Sequence, residues 1–107
     1  MSKLYFIETN GGWLTVATDE DGRACYMRED GREDGYPDAD PRWAESDAQE
    51  RETIAEKWLR SIADWNSFDD LYANCDVQSG FCGVYTVEDF NADLENGSDE
   101  IIASIDF

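Results

Sequence analysis

The sequence predicts a small, single α+β domain in which an antiparallel sheet packs against one main helix and two short helices. A length of 107 residues fits one domain. Aromatic residues make up 13% of the chain, so it can bury a core despite its high charge. Strand-like segments come first, helix-like segments follow, and one strand-like segment comes last, an order that favours an α+β fold over a parallel sheet.

Three strands are predicted at the start of the chain. Residues 4–7 and 13–17 are rich in aromatic and β-branched side chains, and the Asn-Gly-Gly run at 10–12 supplies the positive φ of a tight hairpin turn. Residues 19–22 have the composition of a second turn, and residues 24–27 that of a third strand. We therefore expect a three-stranded meander.

A loop and the main helix are predicted next. Residues 28–42 repeat the unit Arg-Glu-Asp-Gly and hold both prolines, which is a loop composition. Ser46 and Gln49 have the spacing of a capping box, with the Ser hydroxyl as the cap. Apolar residues then recur at helical spacing and predict an amphipathic helix that ends near Trp65. Opposite charges at i,i+4 on its outer face form two pairs, Asp47 with Arg51 and Glu56 with Arg60.

Two short helices and a last strand complete the predicted fold. Ser67 can cap a short helix that runs through Tyr72, and Thr86 can cap another that ends at Gly97. Residues 101–107 alternate in the pattern of a half-buried strand. We expect this strand to join the meander and the helices to cover one face of the sheet.

The charge of the chain is unevenly distributed. There are 26 acidic residues, 8 basic residues and no histidine, which gives a formal net charge of −18. Residues 1–18 are neutral overall, residues 19–60 carry −7, and residues 61–107 carry −11 without a single Lys or Arg. Because like charges repel in a compact state, a folded stretch without any base has an electrostatic cost. This asymmetry favours a surface with a directed electrostatic role.

The composition disfavours several classes of function. A strongly negative surface repels phosphates, so we expect no direct binding of nucleic acid. No apolar run is long enough to span a membrane, and residues 1–5 lack the pattern of a signal peptide, so the sequence predicts a cytoplasmic protein. Without histidine, acid–base catalysis loses its commonest group, so we expect neither an enzyme nor a cofactor.

Neither the carboxylates nor the thiols form a metal-binding pattern. An EF-hand loop that started at Asp19 would place Arg23 at its third ligand position, and Gly22 would come too early. No C-x-x-C spacing occurs, and no histidine is present to complete a zinc site. We therefore expect no bound metal and three reduced, packed thiols, which are those of Cys25, Cys75 and Cys82.

The size of the chain makes its charge comparable with that of nucleic acid. B-DNA carries one charge per ~1.7 Å of axis, so 18 charges correspond to roughly 30 Å of duplex. A domain of this length spans roughly 30–35 Å. In size and acidity the chain is similar to the small DNA-mimic inhibitors of phages and mobile elements, among them some anti-CRISPR and anti-restriction proteins. The similarity is one of composition over the whole chain, and it transfers no residue roles.

The sequence therefore predicts a non-enzymatic inhibitor that blocks the nucleic-acid-binding site of a basic protein, such as a CRISPR effector, a restriction enzyme or a similar nuclease. Tyr36 and Trp43 flank the two prolines and are candidate aromatic anchors. Two alternatives stay open, an immunity protein that neutralises a basic nuclease toxin and an acidic housekeeping domain of a salt-adapted organism. The candidate partner-binding residues are acids of the base-free segment: Asp64, Asp69, Asp70, Asp76, Glu88, Asp89, Asp93, Glu95, Asp99 and Glu100.

Overall fold

A computed structural model gives the fold and describes residues 2–9, 12–29, 37, 40–73, 83–97 and 99–107. The strands are β1 (Lys3–Thr9), β2 (Gly12–Thr18), β3 (Arg23–Glu29), β4 (Gly83–Thr86) and β5 (Glu100–Asp106). The helices are α1 (Ala48–Ala63), α2 (Phe68–Ala73) and α3 (Val87–Asn96), and a 3-10 turn at Trp43–Glu45 precedes α1.

The strands form one antiparallel sheet in the order β4-β3-β2-β1-β5. The predicted meander of β1, β2 and β3 is confirmed, and so is the pairing of the last strand with β1. The structure adds β4, which pairs with β3 and which the sequence analysis does not predict. This strand is only four residues long and runs directly into α3, so its pattern is too short to distinguish from a helix start.

Helices cover both faces of the sheet, which corrects the prediction that they cover only one. Successive side chains of a strand point to opposite faces. Phe6 of β1 packs in a cluster with Leu59 of α1 and Phe68 of α2. Ile7, the next residue of β1, packs in a second cluster with Phe90 of α3. The run Leu-Tyr-Phe-Ile in β1 is apolar on both sides, so each face needs its own covering helix.

The candidate anchor Trp43 lies in the core, so the structure does not bear out an exposed role for it. Only 6% of Trp43 is exposed. Its ring meets Trp13 edge-on at 5.3 Å and Phe6 at 6.1 Å. The Arg51 guanidinium lies 5.3 Å from the centre of the same ring, and its Nε donates to the Trp43 carbonyl oxygen at 3.3 Å. The chain before α1 therefore folds back over the sheet. Tyr36, the other candidate anchor, lies outside the described residues.

The start of α1 differs from the predicted capping box. Asp47 is the cap, and its carboxylate accepts a hydrogen bond from the Glu50 N–H at 2.9 Å. The Ser46 hydroxyl instead donates to the Arg42 carbonyl oxygen. Ser46 and Asp47 are consecutive residues whose side chains can both cap a helix. Because the Ser46 hydroxyl bonds to the preceding 3-10 turn, Asp47 is the cap and α1 begins one residue later than predicted.

The two shorter helices begin as predicted. In α2, the Ser67 hydroxyl accepts from the Asp70 N–H at 3.2 Å, and the Asp70 carboxylate accepts from the Ser67 N–H at 3.0 Å. In α3, the Thr86 hydroxyl accepts from the Asp89 N–H at 3.1 Å. These bonds satisfy backbone donors that have no partner within the helix.

The last strand contains an irregularity that changes which residues it buries. Phe6 pairs with Ala103, whereas Ile7 pairs with Ile101, so Ile102 is an additional residue on β5. Ala103 is buried as the alternation predicts, but 43% of Ile101 is exposed. The alternation predicted for residues 101–107 would place Ile101 on the same inner side as Ala103 and Ile105, but the bulge reverses the alternation beyond Ile102, so that position is wrong.

Candidate functional site

The ends of all five strands meet along one edge of the sheet. Lys3 is in register with both Thr18 and Asp106, and Arg23 is in register with Thr86. The beginnings of β1 and β3 therefore meet the ends of β2, β4 and β5. The β2–β3 turn at residues 19–22 lies at this edge, which we call the turn edge.

Asp19 holds the β2–β3 turn in place. Its carboxylate accepts from the backbone N–H groups of Asp21 at 3.0 Å and Arg23 at 2.8 Å. The Arg23 Nε also donates to it, at 2.6 Å. Burial acts to raise the pKa of Asp19, but the hydrogen bonds from Arg23 and its positive charge outweigh burial, and the pKa is lowered. Gly22 takes a positive φ of 86°, which a glycine adopts without strain.

The same Arg23 connects the turn to α2. Its guanidinium reaches Asp69 at 3.1 Å and lies 5.2 Å from the centre of the Phe68 ring and 5.1 Å from that of Tyr72. Hydrogen bonding to Asp19 is the main reason why the pKa of Arg23 is raised. One arginine therefore combines ion pairs with aromatic contacts, an arrangement in which the planar guanidinium is favoured over an ammonium group.

The first turn of α3 also lies at the turn edge. The Val87 N–H donates to the Gly22 carbonyl oxygen at 2.9 Å. Glu88 and Asp89 follow and are exposed. Because α1 and α2 cover one face of the sheet and α3 the other, the turn edge is where acids from both faces meet.

The candidate acids do not form a single patch. Five of them lie at or beside the turn edge: Asp64, Asp69, Asp70, Glu88 and Asp89. Asp93 and Glu95 lie further along α3, and Asp99 and Glu100 lie at the start of β5, at the opposite end of that strand. Asp76 lies outside the described residues. The fold thus separates acids that lie in one continuous segment of the sequence.

The acidic side chains lie on the surface. Each one whose burial the structure describes is exposed or half-buried, and only Thr15 and Thr18 are buried polar residues in that part of the chain. Among the described candidates, Asp99 is half-buried and the other eight are exposed. These carboxylates are therefore accessible to solvent.

The base-free segment receives counter-charges from other parts of the chain. Asp69 pairs with Arg23 at 3.1 Å, and Asp106 lies 3.9 Å from Lys3. Exposed pairs of this kind contribute little to stability. They nevertheless show that positive and negative charges are less separated in the folded structure than they are along the sequence.

A groove of about 870 Å³ lies between the turn edge and the junction of α1 and α2. Two guanidiniums, those of Arg23 and Arg60, line it together with the aromatic rings of Trp65, Phe68 and Phe107. We call it the Trp65 groove. The carboxylates that line it belong to Asp19, Glu20, Asp21, Asp64, Asp69 and Asp106.

Trp65 is one of the residues of this site that the sequence analysis missed. Its side chain is 86% exposed, more than that of any other large apolar residue in the described ranges. Helical spacing from Trp58 and Ile62 would place it on the inner face of α1, but the helix ends at Ala63 and the chain turns away. The Asn66 amide donates to the Ile62 carbonyl oxygen at 3.1 Å and closes this helix end. The polar pair Asn66-Ser67 was the available signal that the helix stops before Trp65.

Neither a metal-binding cluster nor a membrane-spanning helix occurs among the described residues. No three His, Cys, Asp or Glu side chains among them are grouped as they would be around a metal ion. None of the helices described here combines the length and the apolar composition needed to cross a bilayer. Cys25 packs in the core, as predicted, whereas Cys75 and Cys82 lie outside the described residues.

In comparisons with known proteins, no family model matches the chain, and no curated protein or solved structure matches it either. Only the residues of the site therefore indicate a function.

Proposed function

We propose that the protein is a non-enzymatic inhibitor whose carboxylates take the place of nucleic-acid phosphates in the binding site of a basic protein. The observation that carries the proposal is the turn edge, where exposed acids from α1, α2, α3 and the β2–β3 turn come together. CRISPR effectors, restriction enzymes and similar nucleases have basic sites of the required kind.

The density of charge supports this proposal. The longest dimension of the molecule is 38 Å, so its 18 net charges amount to one per about 2 Å. B-DNA carries one per ~1.7 Å. A basic groove that binds duplex would therefore meet a similar charge per unit length, and would release its own counterions on binding.

The distribution of acids on α3 points in the same direction. Asp89 and Asp93 are four residues apart, so like charges lie next to each other on the helix surface, and no base within α3 compensates them. Such a pair costs a few tenths of a kcal/mol rather than contributing stability. An exposed acidic surface that does not help the fold is consistent with a role in binding.

The proposal is tested by competition between the protein and nucleic acid for purified CRISPR effectors and restriction enzymes over a salt series. We expect the protein to displace nucleic acid from its target, and the displacement to weaken steeply as salt rises. A variant with three neutralised acids at the turn edge, Asp21→Asn, Asp64→Asn and Glu88→Gln, should bind its target at least tenfold more weakly.

A matched control removes the same number of charges elsewhere. Glu45→Gln, Glu50→Gln and Glu52→Gln lie near the start of α1, whose 16 residues extend about 24 Å toward the turn edge. If both triple variants lose inhibition equally, general acidity and not the turn edge is responsible. If both variants fold and inhibit like the parent chain, inhibition does not depend on these carboxylates, and the interpretation as an acidic housekeeping domain is favoured.

A further inference from the structure

We propose that the Trp65 groove binds an arginine side chain of the basic partner, with the guanidinium against the Trp65 indole and paired with the carboxylates around it. This inference rests on the proposed function, because it names the group that the partner would present at the turn edge. The occupant is an arginine in a basic segment of the kind that contacts phosphates.

Trp65 is exposed at the groove, where a partner can contact its ring. Its side chain is 86% exposed beside a groove of about 870 Å³. Tryptophan is among the residues that most often anchor protein interfaces. It is held at the end of α1 by its backbone, since the Trp65 N–H donates to the Ile62 carbonyl oxygen at 3.3 Å. Its position is therefore fixed by the helix while its ring faces solvent.

The charge of the groove is complementary to that of an arginine side chain. Six carboxylates and two guanidiniums line the groove, so its lining is negative. One of those guanidiniums, that of Arg23, already pairs with Asp19 at 2.6 Å and with Asp69 at 3.1 Å. Asp21 and Asp64 remain on the lining to receive a cation from outside, whereas Asp106 lies 3.9 Å from Lys3.

Contacts between an arginine and an aromatic ring already occur twice within the chain. Arg23 lies against Phe68 and Tyr72 while it pairs with Asp19 and Asp69. Arg51 lies 5.3 Å from the centre of the Trp43 ring. An arginine from a partner would repeat at Trp65 the combination of an aromatic face and adjacent carboxylates that Arg23 makes inside the same groove.

Full-length protein titrated with a nine-residue arginine peptide and a nine-residue lysine peptide tests this inference without an identified partner. We expect the arginine peptide to bind more tightly, and Trp65→Ala to weaken its binding about two- to fivefold, the range for loss of a cation–π contact at an exposed site. Trp65→Phe should restore part of the loss. The lysine peptide should respond less, because its ammonium does not stack on the ring.

Ile101→Ala is the control, since Ile101 is also exposed but lies about 13 Å along β5 from Ile105, which lines the Trp65 groove. It should leave both titrations unchanged. If Trp65→Ala and Ile101→Ala bind the arginine peptide alike, the inference is overturned. Circular dichroism of both variants should match the parent chain, because neither side chain is buried.

The two proposals fail in different ways. If Trp65→Ala leaves peptide binding intact while the turn-edge triple variant loses inhibition, the arginine site is wrong and the mimic proposal stands. If Trp65→Ala weakens arginine binding while the turn-edge variant inhibits normally, the groove binds arginine but inhibition does not depend on the turn-edge charge.

Discussion

At the scale of a single residue, Asp40 is the carboxylate whose titration the structure perturbs most clearly. Its side chain accepts from the Arg42 guanidinium at 2.8 and 3.1 Å and from the Arg42 N–H at 2.9 Å. These hydrogen bonds, those from the side chain foremost, lower the pKa of Asp40 from 3.8 to about 2. A carboxyl whose pKa is lowered by folding stabilises the folded state at pH values above the pKa it has in the unfolded chain. This contribution is lost as the pH falls through the pKa it has in the folded protein.

We therefore expect Asp40→Asn to lower the free energy of unfolding slightly at pH 7, and this difference to disappear as pH falls from 3.8 toward 2. Urea unfolding of both proteins at pH 7, 4 and 2 measures it. Glu45→Gln is the control, because the Glu45 side chain makes no ion pair within the part of the chain that the structure describes. A difference that persists undiminished at pH 2 would show that the Asp40 carboxylate does not act through its charge.

At the scale of an element, the packing of α3 on its face of the sheet depends mainly on one aromatic ring, that of Phe90. Phe90 is 3% exposed and lies 5.1 Å from the Tyr5 ring, whereas Leu94 on the same side of α3 is only half-buried. We expect Phe90→Ala to lower the free energy of unfolding by ~3–5 kcal/mol, and Leu94→Ala by less. Urea unfolding compares the two. Should Phe90→Ala prevent folding, Phe90→Leu still gives a measurable loss. Equal losses at the two positions would mean that Phe90 is not the main contact of α3.

The elements also show which parts of the fold the sequence predicts and why. Caps at Ser67 and Thr86 are local, since a hydroxyl and a backbone N–H three residues away decide them, and both predictions are confirmed. The apolar run of β1 indicates that both faces of the sheet are covered, but apolar periodicity does not tell which helix covers which face. The bulge at Ile102 has the same character, because it arises from pairing between strands far apart in the sequence.

The candidate site divides in a similar way. Counting charges found Asp64, Asp69 and Glu88, because a base-free segment is visible in the sequence. It did not find Glu20 and Asp21, which join them only because β2 ends and β3 begins at the turn edge. Trp65 was also missed, since its exposure depends on the residue at which α1 ends.

At the scale of the whole molecule, stability and function respond differently to charge. Repulsion among acids depends on the net charge of −18 in a body of 38 × 31 × 25 Å. The proposed inhibition depends on where the acids lie, because a partner contacts one surface. The two triple variants remove the same charge and so separate these effects.

Salt should therefore stabilise this protein. Screening lengths fall from ~30 Å at 0.01 M to ~3 Å at 1 M salt, so repulsion across the molecule is removed, while the few exposed ion pairs lose little. We expect the melting temperature at pH 7 to rise by about 4–8 °C between 10 mM and 1 M NaCl, which corresponds to about 1 kcal/mol. The turn-edge and α1 triple variants should both show a smaller rise, and equally so, although only the first should lose inhibition. A melting temperature that falls with salt would mean that ion pairs such as Arg23 with Asp69 outweigh the repulsion, and that the acids are balanced within the fold instead of being left for a partner.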